Sequence, residues 1–445
     1  MIQTITSLID RIEFDHNFKI TFPDGSSYQR GDSDFAFHVI LKTERSLREL
    51  IRHPSIGLGE SYMAEEIDFE GDIQLFYHLG FLIKGGHIKP SLMESLRFAV
   101  GYFLRRNTLE GSRKNIAAHY DLGNEFYSLW LDREAKQYTC AYFETREDSL
   151  EQAQLNKLDL VCRKLRLQPG DTVVEAGCGW GGLGLHAARK YGVNIRSYNI
   201  SKEQIAYARE KAERLGVTNV EYVLDDYRNI GADGRKYDKF VSIGMLEHVG
   251  VENYGKFYDI IERVVKPNGL ALVHSIGREA SAATDPWMEK YIFPGSRMPS
   301  LGEIVSPVEV VDRPLHVVDV ENLRYHYALT LDHWVARLED HADQIRTTYS
   351  ESFYRMFRMY LHASAAGFRW GGIQLFQTLL CNGYDNEEPL TRHHFLGLPA
   401  PKSRGANGSK RSPTRAKSLR AGAKKAAGKT ASKKKAVRKK AARSK

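Results

Sequence analysis

A glycine-rich stretch, EAGCGWGG at residues 175–182, is the first place where residue types and spacing indicate chemistry. Gly177, Gly179 and Gly182 fit the pattern G-x-G-x-x-G directly after an apolar run and the acid Glu175. Glycine lets a backbone approach a ligand closely, so the stretch predicts a cofactor-binding turn. A tight turn without a ligand is disfavoured, because so many glycines carry an entropic cost.

The residues around the turn discriminate between cofactors. No Gly-Lys-Ser/Thr follows, which excludes a phosphate-binding loop. A dinucleotide site usually has an acid at the end of the second strand for the ribose hydroxyls, and this chain has Asn199 there. Acids stand instead before the first glycine, at Glu175, and at the end of the third predicted strand, at Asp225 and Asp226. The arrangement suits S-adenosylmethionine, which has no pyrophosphate, with Asp226 accepting from the adenine amino group and Tyr227 stacking nearby.

The elements that must position this turn alternate between strand and helix from about residue 115 to about residue 395. Ser201 is predicted to cap one helix and Gly192 to end another. The predicted strands are 171–177, 193–201, 219–227, one within 237–249, and 270–277 after a turn at KPNG. Such alternation predicts an α/β protein with a doubly wound, mostly parallel sheet, and ligands at the carboxyl ends of its strands.

A first region, residues 1–110, precedes this sheet and is predicted to form a smaller α+β domain. The segment FKITFPDGSSYQR reads as a hairpin with its turn at Asp24 and Gly25. The segment 91–106, SLMESLRFAVGYFLRR, predicts a helix with an apolar face and a basic end. That helix could rest on a membrane surface, but packing against a neighbouring domain is the favoured interpretation.

The end of the chain, residues 398–445, is predicted to be a disordered basic tail. Residues 402–445 contain 18 Lys and Arg and no Asp or Glu, so the rest of the chain has 46 basic and 55 acidic residues. The tail lacks aromatic residues and has little to bury. It could contact a polyanion, either nucleic acid or an anionic membrane surface, or serve only as a solubilising extension.

Composition also excludes several classes of protein and several kinds of site. No apolar run approaches the roughly 20 residues that span a bilayer, and the N-terminus does not read as a secretion signal. The four cysteines form no CxxC pair, which predicts a reducing, cytoplasmic location and neither a disulfide framework nor a zinc knuckle. His248 follows Glu247 but lacks a second histidine at HExxH spacing, so we expect no metal.

Several further motifs occur in a fixed order and identify a family. They are HYDLGNEFYSLWLD (119–132), QYTCAYF (137–143), EAGCGWGG, GMLEHVG (244–250), HSIG (274–277), YIFPGSRMPS (291–300) and RYHYALTLDHW (324–334). Over residues 115–383 the chain closely resembles the cyclopropane-fatty-acyl-phospholipid synthases and the related mycolic acid cyclopropane synthases and methyltransferases. The first region, with GLGESYM at 57–63, resembles the lipid-facing domain of the longer bacterial members.

This resemblance implies a class I methyltransferase (Rossmann-like) catalytic domain over residues 111–397. It also implies transfer of the methyl carbon of S-adenosylmethionine to the double bond of an unsaturated phospholipid acyl chain, at the inner face of the cell membrane. The cofactor contacts it implies, together with the acid before the turn, are Tyr138, Thr139, Glu175, Gly177, Gly179, Asn199, Ser201, Gln204, Asp226 and Tyr227. Asn199 replaces the threonine usual in the family.

The resemblance further implies a bicarbonate ion as the general base. Its cage would consist of Cys140, Glu247, His274, Tyr327 and the backbone of Ile276, with Glu247 and His274 at the ends of the fourth and fifth strands. Attack of an alkene on the sulfonium methyl leaves a carbocation, so the site must exclude water and offer aromatic faces. Donors from His274 and Tyr327 would hold the anion, and Glu247 would orient them.

Ser364, in YLHASAAGFRW (360–370), stands where family members carry a cysteine. Because the proposed base needs no thiol, we expect Ser364 to line the site without taking part in the chemistry. The sequence leaves three alternatives open: a methyl- or methylene-branched product from the same cation, a polyanion-binding protein that acts through its tail, and an inactive lipid sensor. It also leaves open the chain length, the headgroup and whether the chain forms a homodimer.

Overall fold

A computed structural model describes residues 2–87, 123–280, 284–310 and 312–399. The amphipathic segment 91–106 and the basic tail 402–445 lie outside the described residues, so their predicted structures stay predictions. Across the described ranges, no helix combines the length and the apolar character needed to cross a membrane.

The first region folds around a four-stranded sheet with strand order β2-β1-β3-β4. The predicted hairpin is confirmed, because β1 and β2 are antiparallel and Thr21 lies opposite Ser27. Gly25 in its turn has φ +83°, a conformation that favours glycine. The elements are α1 Ile2–Ile9, β1 Phe18–Thr21, β2 Ser27–Arg30, β3 Phe37–Leu41, α2 Glu44–Arg52, α3 Pro54–Met63, β4 Ile67–Gly71 and α4 Ile73–His87.

The second region is built on a seven-stranded sheet with the order β10-β11-β9-β8-β5-β6-β7. Its strands are β5 Thr172–Ala176, β6 Asn194–Asn199, β7 Val220–Leu224, β8 Tyr237–Ile243, β9 Val265–Arg278, β10 Leu315–Asn322 and β11 Ile373–Asn382. Neighbouring strands from β7 to β9 are parallel, and only β11 runs against its neighbours. The predicted mostly parallel α/β sheet is confirmed.

Helices cover both faces of this sheet. They are α5 Gly123–Trp130, α6 Leu150–Lys164, α7 Gly182–Tyr191, α8 Lys202–Arg214, α9 Tyr254–Val264, α10 Pro286–Tyr291, α11 Leu301–Val305, α12 Arg324–Asp340, α13 Ala342–Thr348 and α14 Glu351–Trp370. Successive strand residues point to opposite faces, and Val173 and Val174 accordingly belong to different hydrophobic clusters. Val173 shares its cluster with α6 and α12, and Val174 shares its cluster with α9. The sheet is therefore doubly wound.

The structure corrects one predicted strand boundary and two predicted positions. The fifth strand does not begin after KPNG; β9 runs from Val265 and contains these residues as a bulge, with Asn268 at φ +62°. Glu247 lies beyond the end of β8, in a short 3-10 turn over Leu246–His248. His274 lies inside β9 but opposite Ile243, the last residue of β8, so it still reaches the edge where β8 ends.

The first region packs directly on the second region, and the two share one hydrophobic cluster. Gly59, in the GLGESYM segment, allows α3 to approach α10 so closely that an added Cβ would overlap the Trp287 ring. Asp68 accepts from Arg355 of α14 at 2.7 Å. In the described residues this motif therefore makes contacts between domains, and a lipid-facing role for the region stays a prediction.

Candidate active site

The glycine turn joins β5 to α7 through a run of left-handed conformations. Gly177, Gly179 and Gly181 have φ values of +83°, +53° and +79°, which side-chain-bearing residues rarely adopt. Gly182 is constrained differently, because a Cβ there would overlap the carbonyl oxygen of Ala135. The G-x-G-x-x-G pattern omits Gly181, although it is the N-cap residue of α7.

Asn199, at the end of β6, ties together the other predicted cofactor residues on this side. Its amide nitrogen donates to the Gly179 carbonyl (3.2 Å) and to Oε1 of Gln204 (2.7 Å). Its amide oxygen accepts from the backbone N–H of Ser201 (3.2 Å), and Ser201 caps α8 as predicted. A threonine has one hydroxyl and could not make all three contacts. The replacement of threonine therefore stabilises the turn in this chain.

Asp226 and Tyr227 follow β7, which ends at Leu224 and not at 227 as predicted, and their contacts with adenine stay a prediction. Asp226 is buried, and one of its carboxylate oxygens accepts from the backbone N–H of Arg228 at 2.9 Å. The half-buried Tyr227 ring packs edge-on against Phe257, with ring centroids 5.8 Å apart. Asp226 thus keeps acceptor capacity at the end of the third strand, which is what an adenine amino group needs.

Glu175 is positioned differently from the other predicted cofactor residues. Its carboxylate is buried and accepts from the Ser197 hydroxyl at 2.6 Å, across the β5–β6 pair. A Cβ added at Gly184 of α7 would lie 3.4 Å from this carboxylate. Burial raises the pKa of Glu175 to about 7. These contacts are with β6 and α7, and a contact between Glu175 and the cofactor stays a prediction.

The QYTCAYF segment crosses the site as an irregular strap between α6 and α12. Lys157 of α6 donates to Gln137 Oε1 (2.5 Å) and to Thr139 Oγ1 (3.0 Å). On the other side, the backbone N–H of Ala141 donates to Thr330 Oγ1 of α12 at 3.0 Å. The strap thereby lies close to both edges of the site: a Cβ at Gly182 of the glycine turn would lie 2.5 Å from the Gln137 amide nitrogen, and a Cβ at Gly244, just after β8, would lie 2.8 Å from the Thr139 methyl group.

Glu247, just beyond β8, and His274, inside β9, each carry a buried polar atom that has no hydrogen-bond partner among the described residues. Glu247 accepts from the backbone N–H of Ile276 through Oε1 at 2.5 Å, but its Oε2 has no partner in the part of the chain that the structure describes. His274 Nε2 is also unpartnered among the described residues, while the His274 carbonyl accepts from Gly244 N–H at 2.9 Å. Buried polar atoms are normally hydrogen-bonded, so unpartnered ones indicate a place for a ligand.

Cys140 and Tyr327 are joined to this edge through Leu323. The Cys140 thiol donates to the Ala141 carbonyl (3.1 Å) and lies 3.9 Å from the Leu323 carbonyl oxygen, which also accepts from Tyr327 N–H (3.3 Å). Leu323 in turn donates to the carbonyl of Leu375, which is paired with Ile276 across β9 and β11. Of the five residues predicted for the anion cage, Glu247 and Ile276 are thus in direct contact, His274 lies two residues before Ile276 on β9, and Cys140 and Tyr327 are linked to this edge only through the Leu323 backbone; a common cage stays a prediction.

Burial dominates the electrostatics of this edge. The exposed fractions are 0% for Cys140, 1% for His274, 7% for Tyr327 and 8% for Glu247, so none of the four side chains faces bulk solvent. Burial raises the pKa of Glu247 to about 7, raises the pKa of Cys140 and holds the pKa of His274 well below its ordinary value. A neutral imidazole and a protonated thiol are the resulting states at neutral pH.

Aromatic rings enclose the same space. The rings of Tyr127, Trp130, Tyr138, Tyr327, Trp334 and Phe368 form a continuous set of contacts. The hydroxyls of Tyr138 and Tyr360 are hydrogen-bonded at 2.9 Å. Ser364 lies one turn from both Tyr360 and Phe368 on α14 and is half-buried, so it shares their face of the helix.

Sequence reasoning missed three buried polar residues next to the site: Lys157, Lys164 and Gln377. The two lysines are seven positions apart on α6, so they lie on the same helix face, and that face is apolar. Gln377 lies directly opposite His274 across β9 and β11. A lysine on the buried face of a helix was the signal available in the sequence, since lysine is rarely fully buried without a partner.

Among the described residues, no group of three or more His, Cys, Asp or Glu side chains is arranged to hold a metal ion. His248 therefore belongs to no such group. Its ring lies 6.3 Å from that of Phe293, and burial lowers its pKa to about 4.

The strand order, the single reversed strand and the glycine turn after β5 define a class I S-adenosylmethionine-dependent methyltransferase. A solved structure of the mycolic acid cyclopropane synthase CmaA1, complexed with S-adenosylhomocysteine and CTAB, shares this fold at a TM-score of 0.56 and 32% identity. It covers 60% of this chain and 98% of its own.

The chain belongs to the mycolic acid cyclopropane synthetase family, whose sequence pattern matches residues 107–378. Residues 6–81 match a domain family of unknown function, DUF7884. The cyclopropane-fatty-acyl-phospholipid synthase of Escherichia coli strain K12 is 36% identical over 78% of this chain and 88% of its own length. A probable fatty acid methyltransferase of Pseudomonas putida is 35% identical over 83% and 93%. Together these likenesses support S-adenosylmethionine-dependent modification of lipid acyl chains.

Proposed function

We propose that this enzyme transfers the methyl carbon of S-adenosylmethionine to the double bond of an unsaturated phospholipid acyl chain and forms a cyclopropane ring. One observation carries the proposal: Glu247 Oε2 and His274 Nε2 are buried, have no partner within the described ranges and lie at the edge of the sheet where β8 ends. Parallel sheets of this class bind ligands at those ends. The glycine turn and Asn199 belong to the same edge and would hold the cofactor.

The reaction takes place in two steps, methyl transfer and ring closure. The π electrons of the alkene attack the sulfonium methyl carbon, and the electron pair of the carbon–sulfur bond leaves with sulfur. The resulting cation on the acyl chain closes to a ring when the transferred carbon loses a proton and its C–H electron pair forms the last bond. Aromatic rings such as Tyr138 and Tyr327 stabilise a cation without reacting with it. The buried walls keep out water, which would trap the cation.

Bound bicarbonate would supply the general base that takes this proton. The donor set fits such an anion: the Tyr327 hydroxyl and the His274 imidazole can donate, and Glu247 Oε2 can accept from the hydroxyl of bicarbonate. The Cys140 thiol, whose pKa is raised by burial, would remain protonated beside an anion. Ser364 would line the acyl-chain side, because it shares the face of α14 with Tyr360 and Phe368.

The extent of similarity favours the longer phospholipid and fatty acid enzymes over the mycolic acid synthases as guides to the substrate. The mycolic acid synthase structure covers 60% of this chain, whereas the phospholipid synthase of E. coli matches 78%. The difference is consistent with a first region that serves lipid access, in a protein acting peripherally at the inner face of a cell membrane.

The test is lipid mass spectrometry of a bacterial host that lacks cyclopropane lipids. Cells that express the parent chain should gain acyl chains with one added carbon that resist ozonolysis, and cells that express Glu247→Gln should not. The exposed substitution Glu213→Gln is the matched control and should behave as the parent. Ozonolysis-sensitive products would instead indicate a methylene-branched chain, and an unchanged lipid profile would refute the proposal.

The base is tested separately with purified enzyme in buffer stripped of carbon dioxide. We expect turnover to fall and to return when bicarbonate is added, while the affinity for S-adenosylhomocysteine stays constant. Turnover that is independent of bicarbonate would remove the anion from the mechanism and leave the methyl transfer in place.

We further propose that the basic tail strengthens contact with anionic membranes. Removal of residues 402–445 eliminates 18 positive charges and leaves an acidic body. The shortened chain should retain turnover on detergent-dispersed lipid but sediment less with anionic vesicles, and the difference should shrink as salt rises. Equal sedimentation of both chains would contradict the proposal, and selective retention of DNA by the full chain would assign the tail to nucleic acid instead.

A further inference from the structure

A row of polar side chains crosses three strands behind the anion cage. Glu321 of β10 lies opposite Gln377 of β11, and Gln377 lies opposite His274 of β9. Residues directly opposite on neighbouring strands point to the same face of a sheet. Lys164, the last residue of α6, reaches this row with its side chain only 1% exposed.

The hydrogen bonds along the row have a fixed direction. Lys164 Nζ donates to Glu321 Oε2 at 2.5 Å and to Gln377 Oε1 at 2.7 Å, because an ammonium group has donors and no acceptor. The Gln377 oxygen is thus assigned to the lysine. The amide nitrogen of Gln377 then faces His274 Nδ1 at 3.1 Å.

A reversed amide would be costly in this position. Turning the Gln377 side chain over would place its NH₂ group against the Lys164 ammonium, which puts two donors face to face in a buried site. Lys164 cannot withdraw easily, because Glu321 holds it and the Phe395 ring lies 5.5 Å from its nitrogen. The ammonium therefore determines the orientation of the amide.

The orientation of the amide in turn determines the state of the imidazole. Since Gln377 donates to Nδ1 of His274, that nitrogen must be an acceptor. In a neutral imidazole the other nitrogen, Nε2, then carries the proton. Nε2 is buried and unpartnered among the described residues, on the same stretch of β9 as the Ile276 amide that binds Glu247.

We propose that Lys164 and Gln377 are positioning residues that fix His274 as the Nε2–H tautomer, so that a hydrogen-bond donor always faces the anion. This inference rests on the proposed function for the identity of the anion but not for the tautomer. Outer partners of a histidine commonly set its tautomer in this way. Neither residue would touch substrate or cofactor.

The direct test is nitrogen-15 NMR of the full-length protein with labelled histidine, which distinguishes protonated from unprotonated ring nitrogens. The His274 signal is assigned by its loss in His274→Ala, and the other histidines of the chain provide an internal reference. We expect Nε2–H in the parent protein. In Gln377→Glu, a carboxylate facing Nδ1 can only accept, so the proton should move to Nδ1.

Lys164→Met supplies a second variant, because it frees the amide to rotate and should give a mixture of the two tautomers. Lys164→Arg, which still donates to Gln377 and Glu321, should restore the parent signal. An Nδ1–H tautomer in the parent, or an Nε2–H signal that is unchanged in both Gln377→Glu and Lys164→Met, would overturn the inference.

A binding experiment separates this inference from the proposed function. With carbon-13-labelled bicarbonate as the probe, Gln377→Glu should bind about tenfold more weakly than the parent, since one buried donor is lost. If the tautomers behave as expected but the parent binds no bicarbonate, then the positioning role stands and the proposed base fails. If bicarbonate binds equally to both proteins, then the tautomer has no role in holding the anion, and that part of the inference is refuted.

Discussion

Replacement of Glu247 by glutamine should make the stability of the protein less dependent on pH. The carboxyl is 8% exposed, and burial raises its pKa from 4.5 to about 7. The folded protein therefore binds this proton more tightly than the unfolded chain does. Stability contributed by the protonated form is complete below pH 4.5 and is lost as the pH rises towards about 7. Glutamine cannot ionise, so the variant avoids this loss.

The magnitude follows from the size of the pKa change. Since each pKa unit is worth about 1.4 kcal/mol, the full effect is about 3 kcal/mol, of which about 2.5 kcal/mol falls between about pH 5 and about pH 8. Glutamine can still accept from the backbone N–H of Ile276 through its amide oxygen, so the fold around the turn is kept. Glu175 titrates in the same range, but it is present in both proteins and cancels in the comparison.

The assay is chemical or thermal denaturation of parent and variant, without ligands, at about pH 5 and at about pH 8. The stability of Glu247→Gln relative to the parent should increase with pH, and the exposed control Glu213→Gln should show no such trend. A stability difference that is independent of pH, or that is larger at acid pH, would refute the argument that Glu247 is buried without a compensating charge.

Three further predictions concern the cofactor turn and the acyl-chain side. Asp226→Asn should weaken binding of S-adenosylhomocysteine about tenfold in calorimetry, because the adenine loses a charged acceptor; unchanged affinity would contradict this. Gly181→Ala should lower the free energy of unfolding by about 1 to 3 kcal/mol, because its φ of +79° disfavours a side chain and the new Cβ would lie 2.6 Å from the Tyr222 hydroxyl. An unchanged urea midpoint would refute it. Ser364→Ala should retain turnover, and a complete loss would show that the hydroxyl takes part in the reaction.

The sequence predicts the sheet well, because its signals are local. Buried strands such as 172–176 are short apolar runs, and Ser201 and Gly192 mark helix ends through their own chemistry. The start of β9 is predicted wrongly for the same reason. KPNG has the composition of a turn, and the strand continues through it only because β8 pairs with Val265 before the bulge and with Leu270 after it.

Residue types indicate the members of the site but not their hydrogen-bond partners. Cys140 and His274 stand out through the motifs that contain them, whereas the role of Gln377 depends on a register between β9 and β11 that no local pattern contains. Asn199 illustrates the same limit. Its replacement of threonine reads as a departure in the sequence, and only the fold reveals the three contacts that it makes.

Helix α14 makes contacts with both regions of the protein. In the first region, Arg355 of this helix contacts Asp68, and Arg358 donates to the Tyr62 hydroxyl. Two residues further along the helix, the Tyr360 hydroxyl is hydrogen-bonded to the Tyr138 hydroxyl in the strap. The two regions are therefore coupled through this one helix. Heating should accordingly unfold both regions in one calorimetric transition, and a shift of the first region relative to the second should also move the QYTCAYF strap.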